Sequence, residues 1–293
     1  MYFLAAILHL AFLTLDKYPP SKFDAELLIE SFKDYKIEAR TVDWHSTDTN
    51  WSDFDAVFVF STWDYHYYYP EFLKLLQNFE EKGIKVYNPP SLLRWNSCKT
   101  YLQDLAHLNL KTIETVYISY AELDHLKSIL IENGWDDCVI KPQISASAYH
   151  TYRFNLSNIE STIEFLKNYD EPYMIQPFAE EIISEGEWSF IFFDNEYSHC
   201  LLKKPKDSDF KVQGGQKIPI TPPEWMLKEA QHIVDTMNLS ACFSRIDVIR
   251  RNDELIIMEI ELIEPDLFLR LFPKSADRFA KKMSEKLLNS NVD

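Results

Sequence analysis

Five glycines in 293 residues constrain this chain more than any other feature. They are Gly83, Gly134, Gly186, Gly214 and Gly215, where average usage of about 7% would supply roughly 20. The chain has no G-x-G-x-x-G fingerprint and no G-x-x-x-x-G-K-S/T loop. Any nucleotide it binds is held without a Rossmann fingerprint or a Walker loop. The residues are 46% hydrophobic and 15% aromatic, enough for a large buried core, which excludes a disordered or fibrous chain. At about 150 residues per domain, the length suggests two domains or one with inserted lobes.

Apolar runs alternate with helical periodicity through the first third. Strands are predicted over 8–15, 37–43, 55–60 and 84–87. Helices are predicted over 21–34, with Ser21 as N-cap, and over 70–82, ending at Gly83. This alternation predicts a parallel α/β sheet. Asn88-Pro89-Pro90 marks the first strong break. Beyond it the pattern predicts helices over 97–107, 121–132 and 159–167, and strands over 115–118, 138–141, 149–154 and 173–176. The last third reads as two hairpins, 187–203 and 242–262, with a polar loop over 204–217 and helices over 222–237 and 274–288. Met1–Leu15 is apolar, but it has no basic start and no small-residue cleavage site, and it is too short to span a bilayer. Its second half reads as a core strand.

Charge narrows the function. Asp and Glu number 46 against 30 Lys and Arg, a formal net charge of −16. Such a surface repels phosphate backbones, so nucleic acid is not an expected partner. Neither is a membrane. Cys98, Cys138, Cys200 and Cys242 are far apart, with no C-x-x-C spacing. They read as reduced thiols in a cytoplasmic protein, not a zinc site.

The strongest chemical signal is Ser244-Arg245-Ile246-Asp247-Val248 followed by Met258-Glu259-Ile260-Glu261-Leu262. Alternate strand residues face the same side. A three-residue loop over 251–253 would pair 250 with 254 and set Arg245, Asp247, Glu259 and Glu261 on one face. Acidic residues are poor strand formers, and like charges crowded on a sheet are costly without a compensating cation. Three carboxylates with no thiolate or imidazole suit a hard ion, Mg²⁺ best of all. A solvated polar face is the competing reading.

Cations come from other segments. Lys141 ends a buried strand at Val139-Ile140-Lys141-Pro142, ahead of the small side chains of Gln143-Ile144-Ser145-Ala146-Ser147-Ala148. Serine and alanine let backbone N–H groups approach a phosphate, and Ser145 and Ser147 add hydroxyls. Lys99 follows a candidate helix start, and Lys203 and Lys204 close the first hairpin. Singly, each lysine reads as a solvent-exposed charge. As a set beside the acidic hairpin, they match what a triphosphate with metal demands. Gln176-Pro177-Phe178 suits an adenine hinge, and Glu187 a ribose diol; a strand end and a turn are the plainer alternatives.

The order of these segments resembles the ATP-grasp superfamily over residues 90–270, and within it the group that contains D-cycloserine ligase. The strings that carry the likeness include Ser61-Thr62-Trp63-Asp64-Tyr65-His66, Arg94-Trp95-Asn96-Ser97, Lys141-Pro142, Gln176-Pro177-Phe178, Gly186-Glu187-Trp188-Ser189 and the acidic hairpin. The resemblance implies a Rossmann-like pre-ATP-grasp domain (1–92), a small lobe (93–172) and a large lobe carrying the metal-binding hairpin (173–293). It also implies ATP and Mg²⁺, with Mn²⁺ as an alternative. Lys99, Lys141, Ser145, Ser147 and Lys203 would hold phosphates, and Gln176 with the backbone at Pro177 and Phe178 would read adenine. Glu187 would take ribose, and Asp247, Glu259 and Glu261 the metal. Arg245 and Lys141 would act on the transferred group. The family commonly has Asn where Glu261 stands, and glycine where His150 stands.

Asp64 and Tyr65 lie past a strand's carboxyl end, where open α/β sheets bind ligands. They are candidates to meet an amino-acid-like substrate, Asp64 through its ammonium group. An aromatic patch packing a domain interface is the alternative. The implied activity is an ATP-dependent ligase forming an amide through an acyl phosphate and releasing ADP. A phosphotransferase on the same scaffold and a non-catalytic nucleotide sensor remain as other readings. A homodimer is compatible with all three.

Overall fold

The computed structural model describes residues 7–16, 24–206 and 209–289. Ser21, the expected N-cap, and the first six residues lie outside that range. The chain opens with β1 (Leu8–Thr14), α1 (Ala25–Lys33), β2 (Ile37–Asp43), β3 (Ala56–Val59), α2 (Tyr69–Glu81) and β4 (Val86–Tyr87). The four strands form one sheet in the order β2-β1-β3-β4, parallel throughout, as the alternating pattern predicts. The unbroken apolar runs of β1 and β3 reflect burial on both faces. Leu10, Phe12 and Phe58 point to one core with Leu28 and Phe32 of α1. Ala11, Leu13, Val57 and Val59 point to another, with Phe72, Leu76 and Phe79 of α2.

Next come α3 (Pro90–Ser97), α4 (Tyr101–His107), β5 (Val116–Ile118), α5 (Leu126–Asn133), β6 (Asp137–Pro142), β7 (Tyr152–Asn155), α6 (Ile159–Leu166) and β8 (Tyr173–Pro177). α3 replaces part of the expected break. Pro90 sits in its first turn, where a missing N–H costs nothing. The single helix expected over 97–107 is thus interrupted, and Lys99 sits in the gap between α3 and α4. The strands make an antiparallel sheet, β5-β8-β6-β7. β8 lies inside this sheet, because Tyr173 and Ile175 complete its core beside Ile140, Phe154 and Leu130. A boundary at 172/173 therefore cuts through the sheet instead of preceding the last lobe.

The final part holds α7 (Glu181–Ser184), β9 (Glu187–Phe193), β10 (Glu196–Lys204), β11 (Gln216–Pro219), α8 (Glu224–Met237), β12 (Phe243–Arg251), β13 (Glu254–Glu261) and α9 (Lys274–Asn289). Its sheet runs β11-β10-β9-β12-β13. The loop expected over 204–217 gives way to β11, paired with β10 through Lys203 and Lys204. One sheet face packs Trp188, Phe190, Phe192, Ile246 and Val248 against Met226, Ala230 and Ile233 of α8. The other face is divided. At one end Ile191, Phe193, Leu201 and Phe243 pack on Phe279 and Met283 of α9 and on the first sheet's core. The other end is polar and forms the site.

Both hairpins turn through two residues with positive φ, Asp194–Asn195 and Asn252–Asp253. The three-residue loop expected over 251–253 does not form: Arg251 pairs with Glu254. Asn and Asp tolerate the left-handed region that such tight turns require.

His199 of β10 ties the sheet to the segment beyond β13. Its Nε2 lies 2.8 Å from the Leu267 carbonyl and its Nδ1 2.7 Å from Ser198 Oγ. A carbonyl only accepts, so Nε2 carries the proton and Nδ1 accepts. Burial pushes the imidazole pKa down to about 4 from 6.5. The unfolded chain then binds the extra proton first, so this contribution is complete above pH 6.5 and is lost as pH falls toward 4. Acidification across that window should destabilise the protein by about 3 kcal/mol more than it destabilises His199→Gln, as read from urea unfolding at several pH values.

Candidate active site

Each hairpin carries one bulge, and the bulges build the site. Counting from its turn, β13 would place Met258 opposite Asp247. The register shifts between Asp247 and Val248, so Asp247 faces Glu259 and Arg245 faces Glu261. In β9–β10 the shift falls between Tyr197 and His199 and brings Lys203 opposite Glu187. One extra residue in a strand moves every later side chain to the other face. β12 also pairs with β9, Asp247 opposite Ser189. Glu187, Ser189, Lys203, Arg245, Asp247, Glu259 and Glu261 therefore share one face. The shared face of Arg245, Asp247, Glu259 and Glu261 agrees with the sequence reading, although a tighter turn plus a bulge produces it.

Opposite charges interleave across this face. Arg245 Nε donates to both Asp247 carboxylate oxygens at 3.0 and 3.1 Å, and its guanidinium also bonds Glu261. Lys203 Nζ is 2.9 Å from Asp247 and also pairs with Glu187. Lys99 Nζ donates to the Ser145 carbonyl at 2.9 Å and pairs with Glu259. Ser189 Oγ donates to Asp247 at 2.5 Å. Lys99 and Lys203 are only 7% and 5% exposed, unlike the surface lysines that either would be if read singly.

The pairing sets the protonation of each acid. Burial would raise Asp247, but Arg245, Lys203 and the Ser189 hydroxyl hold it well below the ordinary carboxylate range. Against the same burial, Lys99 and Lys141 hold Glu259 low. Glu261 is pushed well up, because burial and the neighbouring Glu264, Asp247 and Glu259 outweigh Arg245. Burial also raises Glu187, despite Lys203. Lys141 is half-buried and its pKa is lowered by desolvation and by Lys99.

These groups line a cavity of about 410 Å³ between the second and third sheets. Lys141, Ser145 and Ser147 border it from the second sheet. Ser147, Ala148 and His150 take positive φ of 56°, 53° and 45°, so non-glycine residues hold a left-handed loop there. Tyr149 and His150 stack, with ring centroids 3.6 Å apart, and Tyr149 also meets His66 and Tyr67 at 5.1 and 4.9 Å. Part of the cavity wall is an apolar slot that includes Val139, Phe178, Ile182, Phe210, Val212 and Met258. Gln176 is buried there and donates to Thr115 Oγ1 at 2.9 Å. The hinge needs one correction. Pro177 has no N–H, and the Phe178 N–H donates to the Asp137 carbonyl at 2.8 Å. The backbone donor left at this bend is Ala179, which has no acceptor among the described residues.

Asp64 is not brought to the cavity. Its carboxylate accepts from Trp44 Nε1 at 2.8 Å and lies 3.1 Å from His45 Nε2. Tyr65 and Trp63 do line the cavity. Sequence reasoning missed the residues that hold β13 in place. Asn96 donates to the Ile260 carbonyl at 2.7 Å and accepts from the Leu262 N–H at 2.9 Å. The Tyr101 hydroxyl exchanges hydrogen bonds with the Ile260 carbonyl and N–H at 3.0 and 2.9 Å. Asn88 accepts from the Cys242 N–H at 2.6 Å and donates to the Phe243 and Leu262 carbonyls at 2.9 and 2.8 Å. Two asparagines in the quoted strings Asn88-Pro89-Pro90 and Arg94-Trp95-Asn96-Ser97 were the available signal.

Comparison with known proteins places this geometry. Residues 10–88 match the family described as D-cycloserine synthetase DcsG, N-terminal domain. The cycloserine biosynthesis protein DcsG of Streptomyces lavendulae is 26% identical over 288 residues, covering 92% of this chain and 95% of that protein. The crystal structure of D-cycloserine synthetase DcsG superposes with a TM-score of 0.84 at 25% identity, covering 95% of this chain and 99% of that one. The chain has the ATP-grasp fold. D-alanine–D-alanine ligase from Bacillus anthracis shares the ATP-grasp fold, at a TM-score of 0.69 and 13% identity over 97% of this chain and 99% of that one.

The donor set on this face fits a hard cation. Asp247, Glu259 and Glu261 offer only carboxylate oxygens. The donors are not preassembled: among the described residues no group of three or more His, Cys, Asp or Glu stands at ligand spacing. Lys99, Lys203 and Arg245 hold the acids instead. Asn96→Ala would leave the Leu262 N–H buried and unpaired beside these donors, and the Ile260 carbonyl with the Tyr101 hydroxyl alone. It should cost about 2–5 kcal/mol in equilibrium urea unfolding, and a cost below about 1 kcal/mol would show that β13 is held otherwise.

Proposed function

We propose that this ATP-grasp protein is an ADP-forming ligase that joins a carboxylate to an amine, or closes one molecule on itself, on a small amino-acid-like substrate. The supporting observation is the convergence of Lys99, Lys141, Lys203 and Arg245 with Asp247, Glu259 and Glu261 on one cavity that includes an apolar slot. Likeness to cycloserine biosynthesis protein DcsG over 92% of the chain points the same way.

Each residue has a role in this reading. The slot at Val139, Phe178 and Met258 takes the adenine ring, with Ala179 N–H as donor. Glu187 takes the ribose hydroxyls. Lys99, Lys141, Lys203 and the backbone of the Ser145–Ser147 loop hold the phosphates. Asp247, Glu259 and Glu261 would hold Mg²⁺, or Mn²⁺ through the same oxygens, which neutralises phosphate charge. A substrate carboxylate oxygen attacks the γ-phosphorus, the bond to ADP breaks, and an acyl phosphate results. The amine nitrogen then attacks the acyl carbon, loses a proton, and phosphate leaves. Arg245 lies on the cavity wall, where its guanidinium stabilises the oxyanion. The paired lobes exclude water, which protects the acyl phosphate. No side-chain nucleophile is required.

The four cysteines are free and at least half-buried, which suits a reducing cytoplasm. Among the described residues no helix is long and apolar enough to cross a membrane.

With Mg²⁺-ATP and a panel of amino acids, the protein should release ADP only with its own substrate, and hydroxylamine should trap the acyl group as a hydroxamate. Asp247→Asn should lower kcat by roughly 10²–10³-fold while the fold persists. A stable phosphorylated product in phosphorus NMR would make the protein a phosphotransferase. Nucleotide binding with no turnover on any amino acid would make it a sensor.

A further inference from the structure

Among the described residues, ion pairs account for every carboxylate on the cavity wall except one. Glu187 and Asp247 meet Lys203, Glu259 meets Lys99, and Glu261 meets Arg245. Asp266 meets Arg270 at 3.2 Å. Glu264 is 8% exposed and lines the same cavity. Among the described residues no side chain donates to its carboxylate, whose one hydrogen bond comes from its own backbone N–H. Glu264 lines the cavity together with Lys99, Glu259 and Arg245, whose charges act on its carboxylate. Its backbone carbonyl is anchored by Trp63 Nε1 at 3.1 Å. Trp63 and Tyr65 line the same cavity.

A buried carboxylate without a counter-cation is costly, and burial lifts this one to about 7. A cationic ligand group removes the cost. Asp64 cannot supply the counter-charge, because Trp44 and His45 occupy its oxygens outside the cavity. A metal ion does not suit the position as well. Glu264 follows β13 in the chain, whereas the metal-type donors lie on the strands themselves.

We propose that Glu264 is the counter-ion for a substrate ammonium group, so that the cavity selects substrates carrying a protonated amine beside Trp63 and Tyr65. This rests on the ligase reading and adds the residue that sets its substrate class. Aromatic rings bordering the same cavity favour a cation as well.

Binding can test this without turnover. Protein loaded with Mg²⁺ and the non-hydrolysable analogue AMPPNP is titrated calorimetrically with probe pairs differing only in the ammonium group: alanine against propionate and serine against glycerate, in both enantiomers. At least one ammonium-bearing member should bind roughly tenfold or more tighter than its partner, and Glu264→Gln should bring that ratio close to one. Glu264→Asp keeps the charge and should retain most of the preference, which separates charge loss from a folding defect. AMPPNP affinity and its Mg²⁺ dependence should stay within about twofold in both variants.

A wild type that fails to bind Mg²⁺-AMPPNP overturns the ligase reading and this inference together. A wild type that binds the nucleotide but shows no ammonium preference in any pair overturns this inference alone. So does a Glu264→Gln protein that keeps the preference. A changed Mg²⁺ dependence in place of a changed preference would make Glu264 a metal ligand instead.

Discussion

The ion-pair lattice around Asp247 lets one sheet face carry buried acids at all. Asp247 accepts from Arg245, Lys203 and Ser189, and those two cations reach on to Glu261 and Glu187. Burying any one of these charges alone would cost several kcal/mol. As a lattice they neutralise one another. The acids are tolerated because cations from β10, β12 and the α3–α4 gap lie between them. A metal arriving with nucleotide would have to compete with those cations for the same oxygens. In the proposed reading, nucleotide phosphates would offer Lys99, Lys203 and Arg245 an alternative partner, and that exchange would link metal and nucleotide binding.

The lattice depends on backbone details one residue in size. Two-residue turns at Asp194–Asn195 and Asn252–Asp253 start each hairpin, and the bulges at Tyr197/His199 and Asp247/Val248 reset the facing. Without the second bulge Met258 would sit opposite Asp247, and the two glutamates would point into the α8 core. Asn88, Asn96 and Tyr101 then supply side-chain hydrogen bonds to Ile260 and Leu262 at the end of β13, the edge strand of its sheet among the described residues. The segment between the first and second sheets thus holds β13 in register.

Much of the fold was readable from residue patterns. Continuous apolar runs in β1 and β3 mark burial on both faces, and alternation with helices marks a parallel sheet. Acidic residues at alternate positions of a strand-forming stretch marked the site, and lysines in separate segments completed it. Other features were less visible. A two-residue turn cannot be told from a three-residue one when Arg251, Asn252 and Asp253 all tolerate the bend. β8 carries the same apolar signature whether it joins the second or the third sheet. Asp64 looked free because its partners, Trp44 and His45, come from a loop some twenty residues earlier.

Residue order alone fixes the spacing of Arg245 with Asp247 and of Glu259 with Glu261, along with the chemical hardness of their oxygens. Local spacing is a property of the strand, and it holds wherever the strand lies. Which acid finds a cation, and which does not, depends on segments far apart in the chain meeting in space. Lys99 reaches Glu259 across 160 positions and Lys203 reaches Asp247 across 44. Among the described residues that pairing leaves the Glu264 carboxylate without a cation, because electrostatic compensation in a buried cavity is set by proximity and desolvation, and neither is written in local sequence.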